Sequence, residues 1–111
     1  YGYIDELRRR LARLGRWHVD AHDPRALGSD DCEFLDGSHG GAVLYLRILD
    51  AMAALPASPV AGVVDPAVIR RDIAANAGHA AVWRPGETSP GKVDFLDIGC
   101  AKPRDQSGGK G

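Results

Sequence analysis

The chain is poor in the features that commit a protein to a specialised class. It has two cysteines, Cys32 and Cys100, far apart and in no metal-ligand spacing. That excludes a disulfide-rich scaffold and a zinc-finger spacing. The pair is read as buried or free thiols, with Cys32 in a loop and Cys100 close to a loose tail and nothing in the pattern to hold them together; a disulfide would need an oxidising compartment. No apolar run approaches the roughly 20 residues of a membrane span, and no signal peptide is visible. Lys and Arg number 14 against 15 Asp and Glu, for a formal net charge of −1. With no excess of either sign, neither a nucleic-acid partner nor a general attraction to anionic lipid is expected. The chain opens on Tyr1 rather than Met, which reads as a processed product or a fragment with residues upstream.

What is present is an ordinary globular composition. The 111 residues are 44% hydrophobic and 26% charged, enough for one domain or part of one with a modest core. Arginine outnumbers lysine and alanine is abundant, a bias read as that of a GC-rich bacterial genome. Whether the setting is cytoplasmic or extracytoplasmic stays open.

Three helices stand out. In "YIDELRRRLARLG", Ile4, Leu7, Leu11 and Leu14 step by three and four and share one face. Asp5 and Glu6 sit at the positive end of the helix dipole and Gly15 closes it, predicting a helix over 3–14 with the arginines on a solvated outer face. "GGAVLYLRILDAMAALP" is apolar on most sides and ends at Pro56, predicting a buried helix over 41–54. In "DPAVIRRDIAANAG", Asp65 is the N-cap, Pro66 takes the first helical position and Gly78 ends the run, predicting a helix over 65–78. Between the first two, Trp17, Val19 and Ala21 alternate with His18, Asp20 and His22, the period of a strand over 16–21. "HAAVW" and "KVDFLDIGC" carry weaker strand character. "KPRDQSGGKG" reads as a disordered tail.

Two stretches carry candidate chemistry. "WHVDAHD" offers His18, His22, Asp20 and Asp23, the side chains zinc accepts. Imidazoles four apart on an extended strand are about 13 Å apart at the backbone, too far for joint ligation, so no metal and no other cofactor is expected. "FLDGSHGG" places Asp36 three residues before His39, with Gly37 easing the turn. A carboxylate there can hold Nδ1–H, fix the tautomer and leave Nε2 to take a proton from a nucleophile. Asp36 can equally cap a turn beside a surface His39. Ser38, between the two, is not expected to fold onto the imidazole.

The order helix, short strand, loop, Phe-x-Asp-x-x-His and apolar helix resembles the C-terminal end of the SGNH (GDSL-like) hydrolases. Their last motif block is Asp-x-x-His, just before the final helix. "FLDGSHGGAVLYLRIL" matches that block over residues 34–49, and the likeness extends over about residues 1–54. The resemblance implies an α/β class, the C-terminal part of a flavodoxin-like three-layer fold with helices and a few short strands. It implies a serine ester hydrolase or acyltransferase, with His39 as general base, Asp36 as its orienter and an ester or O-acyl substrate. The Gly-Asp-Ser nucleophile block and the oxyanion donors are not visible, so the serine is expected from missing upstream residues or another chain, and this chain alone is expected to be inactive. Residues 1–56 form the hydrolase-like segment, 57–100 a helical and short-strand extension, and 101–111 the tail. The alternative is a small non-catalytic module that binds itself or a protein partner through the arginine-rich helix or the extension, with "DGSH" only a turn and cap.

Overall fold

The structure, a computed structural model, describes residues 2–87. Its elements are helix α1 (Gly2–Leu14), 3-10 turns at Pro24–Leu27 and Asp31–Glu33, helix α2 (Ala42–Ala54) and helix α3 (Pro66–Asn76). The punctuation in the sequence sets these bounds. Asp65 accepts a hydrogen bond from Ala67 N–H at the start of α3, directly before Pro66, so an orphan donor of the first turn is satisfied. Gly15, at φ +61°, turns the chain out of α1 in the left-handed region that a side chain disfavours.

The expected α/β class does not stand. Among the described residues there is no strand and no sheet, so neither a flavodoxin-like layer nor a three-layer arrangement is formed; the architecture is helices and turns. Residues 16–21 lie outside any regular element. Val19 and Ala21 are half-buried between exposed neighbours, but Trp17 is exposed; a strand exists only with a partner for its backbone groups, and none is offered among the described residues. Asp20 is instead drawn to Arg8 on α1 and to its own neighbour, His22 N–H. "HAAVW" is likewise irregular. Its backbone serves the helices: Ala80 C=O accepts from Val43 N–H at 3.4 Å, and Trp83 N–H donates to Asn76 Oδ1 at 2.8 Å. "KVDFLDIGC" and the 101–111 tail lie outside the described residues.

The core sits where α2 packs on α3. Val43, Leu44, Ile69 and Ala80 are buried there. The burial reaches polar groups as well: Ser29, Glu33, Asp72 and Asn76 are each at most 5% exposed. Helix α1 stands apart. It packs on no other described element; Ile4 is buried, while Leu7 and Leu14 on the same face are exposed. On the outer side Arg9 and Arg10 both bind Glu6, so the arginine run is a solvated, self-paired face. None of the described helices is long and apolar enough to cross a membrane.

Candidate functional site

Residues 33–41 form a tight hairpin just before α2. Gly41 N–H donates to Glu33 C=O at 2.8 Å and Leu35 N–H to His39 C=O at 2.8 Å, with Phe34 bridged antiparallel to Gly40. Residues 36–38 make the turn at its tip. The base is fixed by close backbone approach: a Cβ on Gly41 would lie 2.3 Å from Ala80 O and 2.7 Å from Glu33 O. Only glycine fits where three backbone segments meet.

At the tip, the Asp36 carboxylate divides its work. Oδ1 accepts from Ser38 N–H at 2.8 Å, His39 N–H at 2.7 Å and the Ser38 hydroxyl at 3.2 Å. Oδ2 lies 2.7 Å from His39 Nδ1. The sequence offered a turn-capping aspartate or an imidazole-orienting one, and here one carboxylate performs both tasks with different oxygens. The Ser38 and His39 N–H groups, and then the imidazole, hold the Asp36 carboxyl well below the usual carboxylate range. An ionised Asp36 can only accept, so the contact is a hydrogen bond when Nδ1 carries the proton. Nε2 is then the basic nitrogen of the neutral ring. No described group binds it, and the His39 side chain is 75% exposed. Chemically this is a proton acceptor whose tautomer Asp36 biases, open to whatever approaches.

Ser38 was not expected to approach the imidazole, yet its Oγ lies 3.4 Å from Nδ1 as well as 3.2 Å from Asp36 Oδ1. The turn curls tightly enough to bring a hydroxyl between the two neighbours that flank it in space. It meets the nitrogen already engaged by Asp36, not the free one, so Ser38 is not placed to be the nucleophile.

Beneath the hairpin lies a group that sequence reasoning missed. Glu33, 1% exposed, accepts two 2.8 Å hydrogen bonds from the Arg47 guanidinium on α2 and one of 3.0 Å from Gly78 N–H past the end of α3. Burial pushes its carboxyl up, but Arg47, Gly78 N–H and the Ser29 hydroxyl together outweigh burial and hold it below the ordinary glutamate value. Nothing in the spacing announces this, because Glu33 sits in an acidic loop and its partners come from 14 and 45 residues away. A second polar clasp, with Asp72 gripped by Arg84 at 2.7 and 3.0 Å, fastens residues 83–87 to α3.

The residues of "WHVDAHD" do not converge. His18 Nδ1 turns to Arg16 C=O, Asp20 to Arg8, and Asp23 caps the 3-10 turn through Arg25 N–H. His22 and Asp23 line an open cleft of about 690 Å³ with Gly2, Ile4, Asp5, Arg8 and Arg25. Among the described residues no three His, Cys, Asp or Glu side chains are grouped to hold a metal ion. Cys32 is disulfide-bonded, which corrects the expectation of a free thiol there. The chain's other cysteine, Cys100, lies outside the described residues. No family model, no curated protein and no solved structure matches the chain.

Proposed function

We propose that the 36–39 turn supplies the base and orienter of a serine ester hydrolase or acyltransferase of SGNH type. The observation that carries this reading is the 2.7 Å contact of Asp36 Oδ2 with His39 Nδ1 on a ring whose Nε2 faces solvent. In the proposed reaction Nε2 takes the proton of a serine hydroxyl as its oxygen attacks the ester carbonyl. The Asp36 carboxylate stabilises the imidazolium that forms, and the same proton then passes to the departing alkoxide. The serine and the donors for the developing oxyanion come from outside residues 2–87, in upstream residues or on another chain. This reading rests on the local geometry of the turn.

A second reading has its own observation. Oδ1 of Asp36 already caps the turn through two backbone N–H groups, which accounts for the aspartate without catalysis. The exposed apolar residues of α1, Leu7 and Leu14, then suit a small interaction module.

Turnover of an activated aryl ester by the full-length protein separates the two. Under the hydrolase reading His39→Ala lowers kcat/KM by about 10²–10⁴-fold and Asp36→Asn follows it, while thermal stability of the His39 variant is unchanged. Activity equal to wild type in both variants, with stability lost in Asp36→Ala, leaves the turn as the whole role.

A further inference from the structure

We infer that Ser38 is a positioning residue of the Asp36–His39 pair, its hydroxyl biasing the imidazole toward the Nδ1-protonated tautomer; the inference rests on the hydrolase reading of the turn. The Ser38 oxygen touches both partners, at 3.2 Å from Asp36 Oδ1 and 3.4 Å from His39 Nδ1. A hydroxyl has one proton to give and two lone pairs to offer. Given to Asp36 Oδ1, the proton joins the Ser38 and His39 N–H groups there and leaves Oδ2 to the imidazole alone. A lone pair of the same oxygen then faces Nδ1 and supplies a second acceptor for its proton.

The opposite arrangement is disfavoured on two counts. A bare Nδ1 would set its lone pair 2.7 Å from an anionic oxygen. The hydroxyl proton, turned to Nδ1, would abandon a charged acceptor for a neutral one. Both contacts of Ser38 therefore favour the same tautomer, the one that leaves Nε2 basic. Ser38 acts through its neighbours, since its oxygen lies on the Nδ1 side of the ring.

Nitrogen-15 NMR of the imidazole in the full chain reads the tautomer directly, without any substrate. Wild type shows the Nδ1–H form in excess, and Asp36→Asn loses that excess. Ser38→Ala lowers the Nδ1–H fraction measurably, and Ser38→Thr, which keeps the hydroxyl, restores it. In the ester assay Ser38→Ala loses about five-fold in kcat, the worth of one ordinary hydrogen bond, with KM unchanged. A wild-type tautomer balance in Ser38→Ala overturns the inference, and so does a shift that Ser38→Thr fails to restore, which would be a backbone effect. Ester turnover indifferent to His39→Ala instead sinks the hydrolase reading on which the inference rests, and the NMR result shows which of the two has failed.

Discussion

Glu33 and Arg47 meet as a buried, two-pronged pair: Nε binds one carboxylate oxygen and an Nη the other, each at 2.8 Å. The pair joins the base of the catalytic-candidate hairpin to α2. Through Gly78 N–H it reaches the end of α3 as well. Buried pairs of this kind are not necessarily more stabilising than apolar packing, but losing one partner strands the other charge.

Glu33→Ala is therefore expected to cost about 3–5 kcal/mol, a large part of the stability of a small domain. Urea unfolding followed by far-UV circular dichroism measures it. A cost below about 1 kcal/mol, the scale of an exposed pair, would mean that the pair is open to water.

The same group sets an acid limit. The folded-state pKa of Glu33 lies below its unfolded value, so its stabilisation is fully present above the ordinary glutamate value of 4.5 and is lost as pH falls toward the folded pKa. Melting temperature should drop as pH decreases from that value. Glu33→Gln cannot titrate, so the gap between wild type and this variant should narrow with acidification. A gap of constant width from neutral pH downward contradicts the assignment.

Gly40 and Gly41 are neighbours with different constraints. A Cβ at Gly41 strikes the backbone of two segments, whereas at Gly40 it lies 2.7 Å from the end of the Leu44 side chain, a softer obstacle than backbone. Gly41→Ala should lower the melting temperature sharply, and Gly40→Ala only slightly. Equal shifts would count against the close approach at Ala80.

At the start of α3, Asp65→Ala removes the acceptor for Ala67 N–H and should cost about 1 kcal/mol. Asp65→Asn or Asp65→Ser should recover most of it. Equilibrium denaturation of the three variants checks the order.

Intact-mass analysis tests the bond at Cys32. Alkylation without reduction should leave Cys32 unlabelled, and alkylation after reduction should label it. Labelling of Cys32 before reduction would refute the bond.

Much of this fold was legible because its signals are local. The 3–14, 41–54 and 65–78 helices of the sequence reading correspond to Gly2–Leu14, Ala42–Ala54 and Pro66–Asn76, since periodicity, caps and proline act within a turn or two of chain. The Asp36–His39 contact was legible for the same reason, the two being three residues apart. The strand over 16–21 was not, because alternation describes one segment while a sheet needs two. Glu33 was invisible because what makes an acidic loop residue a buried one is an arginine a helix away. Ser38 was misjudged because spacing ranks neighbours along the chain, and the curl of a turn reorders them in space.

The hairpin divides its labour along its length, and that has a consequence for how the turn can be redesigned. At the base, Gly41 tolerates no side chain, while at the tip a Cβ on Gly37 meets nothing within 4 Å. A side chain added at Gly37 touches nothing beneath it, so the turn can be altered there without repacking the base. A side chain added at Gly41 must displace the backbone of Ala80 and Glu33. The base is therefore the part to leave untouched in any redesign of this turn, and Gly37 the position at which the tip can be varied.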